Sequence, residues 1–258
     1  MTSSAFETTT PDAIRYLDRL AVSDPGRFYK RRMFDALDPR AGHRVLDLGC
    51  GPGTDLDALA QAVAPAGAVI GVDLDEKMVA AARERTAGRS VVEVRHGDVH
   101  DLPLDDDSAD RARTDRVLQH VADPLAALGE IRRVLRPGGR LVMGEPDWDT
   151  LTVDHPDTHL TRAYTRHVVD RVVRNAAVGR QLARLATECG FTVPEVIPVT
   201  QVFRELRVAD SILGLERTTR RAVEAGYFSE REAETWLSGL AQGPFLAAVT
   251  LYIVVAEV

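Results

Sequence analysis

A glycine-rich loop that follows a short apolar run is the feature of this sequence that most constrains its fold. The segment 44–48 is rich in β-forming residues and leads into the loop 49–53, where Gly49, Gly51 and Gly53 occupy alternate positions. From 54 to 63, apolar residues recur at helical spacing. Because glycine has no Cβ, such a loop lets the backbone approach a ligand closely. A strand, a glycine loop and a helix in this order predict a βαβ unit with a ligand site at the loop.

The same alternation of apolar runs and helical patterns continues to Glu145 and predicts a parallel, doubly wound α/β sheet. The predicted strands are 44–48, 68–72, 90–95, 109–115 and 140–144, with helices over 54–63, 75–85 and 124–134. Beyond Glu145 the pattern predicts helices over 159–174, 179–188 and 208–242, and strands over 195–206 and 245–258. Two helices, 12–20 and 27–37, precede the sheet and are separated by a break at 23–26.

Composition excludes several classes of function. The formal charge of −7 gives no overall attraction to nucleic acid, and the two cysteines cannot form a disulfide framework. The segment 1–11 has no secretory pattern, and 245–258 is too short to cross a bilayer as a helix. His155 and His159, with neighbouring acids, are interpreted as a polar loop and not as a metal site. We therefore predict a cytoplasmic protein with no metal, no nucleic-acid partner and no membrane segment.

Two acidic residues near the loop indicate the kind of ligand. Asp73 closes the second predicted strand, where doubly wound folds place a carboxylate on ribose hydroxyls. A dinucleotide is the competing ligand, but its G-x-G-x-x-G fingerprint requires a third glycine where this chain has Thr54. Asp47 lies just before the loop, where a carboxylate repels a pyrophosphate and attracts an ammonium or sulfonium group. These residues favour an adenosine ligand with a cationic amino-acid tail.

Four motifs together closely resemble those of the class I S-adenosylmethionine-dependent methyltransferases. They are DLGCGPG at 47–53, GVDL at 71–74, GDV at 97–99 and LRPGGRL at 135–141, and they occur in the family's order and spacing. The nearest group resembles the small-molecule enzymes related to ubiquinone and menaquinone biosynthesis. The resemblance implies S-adenosylmethionine as cofactor and S-adenosylhomocysteine as product.

The resemblance also implies roles for the residues that match its motifs. Gly49, Gly51 and Gly53, with Cys50 between the first two, pack against the methionine and ribose portions of the cofactor. Asp47 supports the ammonium group, either directly or through the loop backbone.

At the other end of the cofactor, the resemblance implies that Asp73 binds the ribose hydroxyls and that Leu74 packs on the adenine. Asp98 accepts a hydrogen bond from the adenine amino group, and the Val99 amide faces a ring nitrogen. Two cations are further candidates for the methionine end, Arg116 and, from the basic run at 30–32, Arg31.

The fold implied is a Rossmann-like, doubly wound seven-stranded mixed sheet in the order 3-2-1-4-5-7-6, formed by 41–258. A helical substrate cover is expected from 1–40, 150–178 and 208–242. The chain departs from the family pattern at 208–242, where a tight hairpin is usual, and at 109–115, which is unusually polar for a central strand. Arg111 and Arg113 share one face of that strand, and a buried arginine needs partners such as Asp110, Asp115 or the acids after the fifth strand. The alternative explanation for these polar residues is that the boundary of the fourth strand is displaced.

The methyl acceptor is expected over the C-terminal ends of the fourth and fifth strands. His120 follows the fourth strand and is the candidate general base, and the alternative is a histidine that braces the loop. The other candidates for acceptor contact are Tyr16, Tyr29, Glu145, Asp147, Trp148, Tyr164 and His167. For the acids around Trp148, the alternative is an exposed acidic loop.

We predict methyl transfer to a small-molecule acceptor, first of all to a hydroxyl in secondary metabolism, because a helical cover suits a discrete molecule and hinders a polymer. N- or C-methylation follows closely. The alternatives are a cofactor-binding protein that catalyses another reaction, such as a cyclisation, and an NAD-dependent oxidoreductase.

Overall fold

The computed structural model describes residues 13–258 and is built on one mixed β-sheet. Its strands are β1 (Arg44–Leu48), β2 (Ala68–Asp73), β3 (Val92–His96), β4 (Ala109–Asp115), β5 (Leu135–Val153), β6 (Thr192–Phe203) and β7 (Ala247–Glu257). They are arranged in the order β3-β2-β1-β4-β5-β7-β6. The first five strands are parallel, while β7 pairs antiparallel with β5 and β6. The predicted sheet order is confirmed.

Helices cover both faces of this sheet. They are α1 (Ala13–Val22), α2 (Asp24–Leu37), α3 (Leu56–Val63), α4 (Glu76–Arg85), α5 (Pro124–Val134), α6 (Thr158–His167), α7 (Val178–Glu188), α8 (Leu206–Leu213), α9 (Leu215–Glu224) and α10 (Glu230–Leu240). Asp75, Asp123 and Asp157 begin α4, α5 and α6 as N-caps, since each carboxylate accepts from backbone N–H groups of the first turn. These caps give the helices after the strands defined starting points.

Several boundaries differ from the sequence prediction, including those of β5, α6 and α2. β5 continues to Val153 instead of ending at 144, because its C-terminal half pairs with β7. The helix predicted over 159–174 ends at His167 and continues as a π-helical turn, Val168–Val172. The break predicted at 23–26 is a single residue, Ser23, whose side chain caps α2. The predicted start of the first helix, Asp12, and the segment 1–11 lie outside the described residues.

The apolar core has two parts that sandwich the sheet and a third part under the cover. One part lies between the sheet and α2 and α3, and another lies between the sheet and α5 and α7. The third joins α6 and the end of β5 to α8, α9 and α10, and it contains Trp148, Tyr164 and Trp236. The helical insertion predicted between the last two strands is confirmed as three helices.

Helix α1 connects this cover to the glycine loop. A Cβ on Gly51 would lie 3.3 Å from the Leu17 side chain of α1. Arg85 of α4 forms an ion pair with Asp18 at 2.8 Å, and α1 also packs against α8. The C-terminal edge of the sheet is thus roofed by α1 next to the three-helix insertion.

Neither a membrane span nor a cluster of metal ligands is found in the described part of the chain. Over 13–258, no helix is both long enough and apolar enough to cross a bilayer. In the same range, no three His, Cys, Asp or Glu side chains are grouped so as to hold a metal ion.

Candidate active site

The glycine loop joins β1 to α3, and its three glycines adopt left-handed backbone conformations. The φ angles are +71° at Gly49, +54° at Gly51 and +79° at Gly53. The Gly49 N–H donates to the Val72 carbonyl oxygen at 2.7 Å, which holds the loop over β2. A Cβ on Gly49 would lie only 2.3 Å from the Val117 side chain. The loop therefore needs glycine both for its backbone angles and for its contact with the segment after β4.

Cys50 points down from this loop into the core. Its side chain is buried, and a Cβ on Gly71 of β2 would lie 3.0 Å from its Sγ. Burial raises the pKa of the Cys50 thiol. Cys50 can therefore contact a ligand only through its backbone.

Asp73 stands at the C-terminal end of β2, directly against the glycine loop. Its Oδ2 accepts from the Gly51 N–H at 2.7 Å, and its Oδ1 accepts from the Asp75 N–H at 2.9 Å. Burial raises the pKa of Asp73, although these N–H groups partly oppose the shift. The next residue, Leu74, leaves 63% of its surface exposed. A carboxylate and an apolar side chain thus lie side by side at the rim of the loop.

The residues predicted to contact adenine lie after β3. The Oδ1 of Asp98 accepts from the His100 N–H at 2.9 Å and lies 2.6 Å from the His100 Nδ1. Burial alone would raise the pKa of Asp98, but the bonds from His100 outweigh it and lower the pKa. Val99 packs against the core at its side chain. Asp98 therefore has one oxygen engaged with His100 within its own turn.

A buried cluster of charges lies beneath the glycine loop, and we call it the charge cluster. Its members are the carboxylates Asp47, Asp55 and Asp115 and the cations Lys30 and Arg113. The Arg113 guanidinium lies 3.4 Å from Asp47, 3.1 Å from Asp55 and 3.0 Å from Asp115. The Lys30 Nζ lies 2.5 Å from Asp55 and 2.6 Å from Asp115. Three acids face two bases, so the cluster has one negative charge in excess when all are ionised.

The charge cluster corrects the simple electrostatic role predicted for Asp47. Asp47 is 3% exposed and forms an ion pair with Arg113, so its charge is not available by itself to a ligand. Burial raises the pKa of Asp47 to about 6, with Arg113 acting in the opposite direction. The excess charge belongs to the whole cluster. Within the described residues, two of its buried atoms make no hydrogen bond, the acceptor Oδ1 of Asp115 and the donor Nε of Arg113.

The cluster also corrects the choice among the basic residues of α2. Arg31 points into solvent and pairs with Asp35 one turn later, at 3.1 Å, so it does not reach the site. Its neighbour Lys30 does. Burial lowers the pKa of Lys30, but Asp115 and Asp55 more than reverse the effect and raise it. Tyr29 is fully buried with its hydroxyl 3.4 Å from Asp115, so it supports the cluster and does not face an acceptor.

Arg113 is the buried arginine that the polar fourth strand predicted. The strand occupies 109–115 as expected, and Asp115 is confirmed as a partner of Arg113. Asp110 instead accepts from the Arg44 N–H and pairs with Arg136. The acids after β5 are not among the partners of Arg113 either, since these partners come from β1, β4 and the loop before α3.

The segment after β4 begins at Arg116, which has an unusual backbone. Its φ is +62°, a left-handed conformation that is uncommon for a residue with a side chain. Its N–H donates to the Gly144 carbonyl oxygen at 2.8 Å, and its Nη2 donates to the Tyr16 hydroxyl at 2.9 Å. Arg116 therefore connects the end of β4 to the roof helix α1.

Glu145 fixes the loop that carries His120. Its Oε1 accepts from the Val117 N–H at 2.7 Å and from the Leu118 N–H at 2.6 Å, while its Oε2 lies 3.3 Å from the Gln119 N. Burial raises the pKa of Glu145 to about 8, with these N–H groups and nearby His120 opposing the shift. The prediction that Glu145 contacts the acceptor is wrong, because the side chain is fully buried and engaged with the loop.

Two further side chains brace the same loop. The Asn175 Nδ2 donates to the carbonyl oxygens of Leu118 and Val121 at 2.8 and 2.9 Å. The Trp148 Nε1 donates to the Gln119 Oε1 at 2.8 Å. His120 stands half-buried at the end of the loop, and its backbone N–H donates to the Val117 carbonyl oxygen at 2.9 Å. The loop that carries His120 is thus held by residues from two other segments, β5 and the stretch before α7.

The acids around Trp148 do not form an open pocket wall. Asp147 is fully buried and binds Arg180 of α7 through both of its oxygens. Trp148 is 2% exposed and belongs to the core below the cover. The predicted aromatic wall is wrong here, and of its alternative, an exposed acidic loop, only the exposed Asp149 remains, because β5 continues through this segment between β7 and α7.

Tyr164 and His167 face α9 and the α9–α10 connection across the cover. Tyr164 stacks on Trp236, with ring centroids 5.2 Å apart, and burial raises its pKa. His167 lies 5.1 Å from the Tyr227 ring, and burial lowers its pKa. Both side chains are buried inside the cover.

Sequence reasoning missed several residues of this site. They are Lys30, Asp55 and Asn175, together with the bracing role of Glu145. Lys30 and Asp55 could have been suggested by the buried arginine predicted on β4, which required acids and further charges nearby.

The residues at the C-terminal ends of β1, β2 and β4 fit an adenosyl cofactor with a charged amino-acid end. The glycine loop has no Cβ where it approaches Val117 and Leu17, a carboxylate stands at the rim, and a buried Asp115 oxygen lacks a partner in a cluster with excess negative charge. Together with the sheet order, this geometry is typical of Rossmann-like enzymes with a nucleoside-type cofactor.

Comparison with known proteins gives the family. Residues 39–189 match the family model of a methyltransferase domain. An uncharacterized 37.1 kDa protein in transposon TN4556 of Streptomyces fradiae is 61% identical over 257 residues, covering 100% of this chain and 74% of that protein. Demethylmenaquinone methyltransferase of Staphylococcus aureus is 36% identical over 137 residues, or 53% of this chain and 57% of the enzyme.

Solved structures agree at the level of the fold. The crystal structure of a SAM dependent methyltransferase from Aquifex aeolicus has a TM-score of 0.55 and 24% identity, covering 74% of this chain and 93% of that one. The chain therefore belongs to the class I S-adenosylmethionine-dependent methyltransferases.

Proposed function

We propose that this methyltransferase acts on a small-molecule metabolite and methylates it at a hydroxyl group. The observation that carries the proposal is the roof over the C-terminal edge of the sheet. Helix α1 lies on the glycine loop through Leu17 and on the segment after β4 through Tyr16. A site enclosed in this way admits a discrete molecule and hinders a polymer or a folded protein.

In this proposal the methionine end of the cofactor lies over the charge cluster. The excess negative charge favours an ammonium group, and the buried Asp115 Oδ1 has the free acceptor capacity to bind one of its N–H groups. Lys30 and Arg113 hold the acids in place. The electrostatic preference for a cationic ligand thus comes from the cluster as a whole.

The adenosine end follows the rim of the loop. Asp73 would bind the ribose hydroxyls, since its carboxylate already stands against the Gly51 N–H at the end of β2. The exposed Leu74 offers an apolar surface to the adenine, and Asp98 offers its second oxygen to the amino group. The Val99 amide is assigned to a ring nitrogen.

The bound cofactor supplies an activated methyl group on a sulfonium centre. The protein then has to align the acceptor and exclude water, and a base is needed only if the accepting atom must lose a proton. His120 fills that role in the proposal, since its loop is held by Glu145 and Asn175 at the end of β4. A histidine held rigidly and only half-buried is suited to accept a hydroxyl proton.

The experiment is a methyl-transfer screen with S-adenosylmethionine labelled at the methyl group. The purified chain is incubated with pools of phenolic, alcoholic and amine-bearing metabolites, and labelled products are identified by mass spectrometry. Label on a hydroxyl oxygen supports the proposal, and label on nitrogen or carbon replaces it with N- or C-methylation.

Cofactor binding is measured separately by calorimetric titration with S-adenosylhomocysteine. Tight binding without methyl transfer to any acceptor would favour a cofactor-binding protein with another reaction, such as a cyclisation. Tight binding of NAD, together with indifference to S-adenosylhomocysteine, would contradict the proposed cofactor site.

A further inference from the structure

Buried polar groups without partners also occur between α6 and α9. On α6, Tyr164 and His167 lie three residues apart and are 0% and 2% exposed. In the described range of the chain, both ring nitrogens of His167 make no hydrogen bond, and the Tyr164 hydroxyl faces Thr218. A buried polar group left unpaired costs about 1–3 kcal/mol. Such groups indicate a place where a bound molecule completes the hydrogen bonding.

The facing side of α9 contributes positive charge. Arg217 and Arg221 lie one turn apart, and the Nε of Arg217 is buried and unpaired. No carboxylate within 13–258 forms an ion pair with Arg217; nearby Asp210 accepts a hydrogen bond from the Glu216 N–H. We call Tyr164, His167, Arg217 and Arg221 the α6–α9 seam.

The position of Arg217 in its helix strengthens the case for a missing anion. Helix α9 begins after Gly214, which provides no side-chain cap, and Arg217 lies in its first turn. A cation is unfavourable at this end, because the exposed backbone N–H groups already give it a partial positive charge. Burial and Arg221 lower the pKa of Arg217, and Arg221 with Arg171 also disfavours the charged form of His167. The acid that faces this end of the seam, Asp170, accepts a hydrogen bond from Tyr227.

The seam lies next to the acceptor side of the active site. Arg217 interacts electrostatically with the phenols of both Tyr164 and Tyr16. Tyr16 is buried and accepts a hydrogen bond from Arg116, the residue that begins the loop leading to His120. Tyr16 and Arg116 therefore link the seam to the start of the loop that carries the candidate base.

We propose that the α6–α9 seam binds an oxyanion, a carboxylate or a phosphate, that belongs to the methyl acceptor. The guanidinium of Arg217 would bind the anion, and the Tyr164 hydroxyl and a His167 N–H would donate to it. The acceptor is then a hydroxylated acid or phosphate ester and not a neutral molecule. The part of this inference that concerns the acceptor rests on the proposed function, while the anion site itself does not.

The test is calorimetric titration of the full chain, saturated with S-adenosylhomocysteine, using inorganic phosphate and 4-hydroxybenzoate as anionic probes. The neutral 4-hydroxybenzamide is the matched control ligand. We expect saturable binding of at least one anion and none of the amide. Arg217→Gln should weaken the affinity for the anion by about tenfold or more, which corresponds to the loss of one charged hydrogen bond. Binding of phosphate alone points to a phosphate ester, and binding of the benzoate alone points to a carboxylic acid.

The matched control variant is Arg220→Gln, on the same helix, whose side chain is exposed and pairs with Glu216. It should bind the anions as the unaltered chain does. Saturable binding of neither anion, or equal affinity in Arg217→Gln, would overturn the proposal. If Arg217→Gln loses its affinity for S-adenosylhomocysteine and is therefore misfolded, Tyr164→Phe decides, because it removes only the hydroxyl. That variant should bind the anion severalfold more weakly, and an unchanged affinity counts against the seam.

Failure of this inference is distinguishable from failure of the proposed function. If the seam binds no anion, titration with S-adenosylhomocysteine and the methyl-transfer screen still report on the cofactor site and the reaction. If methyl transfer is absent while the anion binds through Arg217, the anion site is supported and only its assignment to the methyl acceptor is contradicted.

Discussion

Asp47 on β1 and Arg113 on β4 occupy the same register position of two neighbouring parallel strands, with Oδ1 and Nε 3.4 Å apart. The same guanidinium also reaches Asp55 and Asp115. Since Arg113 is 2% exposed, water contributes little to the balance of these charges. A single buried arginine thus bridges three carboxylates beneath the glycine loop.

Replacing Arg113 should therefore destabilise the fold strongly. Arg113→Met removes one cation and leaves three buried acids with only Lys30 to compensate. Breaking a buried pair in this way costs about 3–5 kcal/mol in the free energy of unfolding. Urea denaturation followed by circular dichroism measures the loss.

Arg111→Met is the control, because Arg111 lies on the same strand but donates only to the carbonyl oxygens of Leu37 and Asp110. It should lose about 1 kcal/mol. Equal losses in the two variants would show that the pairing with the acids is not what Arg113 contributes.

The strands and helices could be predicted from the sequence because their signals are local, whereas the order of the sheet followed from the resemblance to the family. Each strand and its following helix are marked by their own apolar spacing and by caps such as Asp75 and Asp123. Even the polar strand 109–115 was placed correctly, and the need of its arginines for partners led to Asp115. The full length of β5 was not predictable, since its extension depends on pairing with β7, about a hundred residues away.

The site was less predictable because its geometry depends on which way side chains turn. Adjacent residues of α2 point in different directions, so the packing of that helix decides that Lys30 enters the cluster and Arg31 faces solvent. Glu145 was predicted to face the acceptor, yet its partners are backbone N–H groups of Val117 and Leu118. Such bonds cannot be predicted from a pattern of side chains, because every residue other than proline has a backbone N–H. Asp73, in contrast, stands against the glycine loop, as its position at the end of the second predicted strand indicated.

The buried Glu145 should make stability fall as pH rises. In the unfolded chain its pKa has the ordinary value of 4.5, and in the folded protein burial raises it to about 8. Between these pH values the folded state keeps a proton that the unfolded state has lost. The stabilisation is thus complete below pH 4.5 and is lost as the pH rises towards 8, by up to ~1.4 kcal/mol per pH unit.

The measurement is the free energy of unfolding at pH values above the pKa of about 6 of Asp47 and up to the pKa of about 8 of Glu145. Glu145→Gln resembles the protonated form and should flatten the slope over this range. Glu257→Gln, at a half-exposed pair with Arg140, should keep it. If the unfolding free energy depends on pH equally with and without Glu145, the dependence does not come from this residue.

Asp73→Ala should weaken the binding of S-adenosylmethionine by about 1–3 kcal/mol, through the loss of hydrogen bonds to the ribose. Calorimetric titration measures the affinity. Asp75→Ala is the control, since Asp75 caps α4 through the Lys77 N–H and should affect stability more than affinity. If the Asp73 variant binds as tightly as the unaltered chain, the ribose lies elsewhere.

His120→Ala should lower turnover about 10²-fold or more if His120 removes the proton of the accepting hydroxyl. The loop around it is held by Glu145 and Asn175, so the substitution should leave the affinity for S-adenosylhomocysteine unchanged. Turnover is measured with an acceptor from the methyl-transfer screen, across pH. His96→Ala, whose exposed ring contacts the Leu74 carbonyl oxygen, is the control and should retain activity. Near-normal turnover of His120→Ala would restrict His120 to bracing the loop, and the accepting atom would then be one that needs no base, such as a neutral amine.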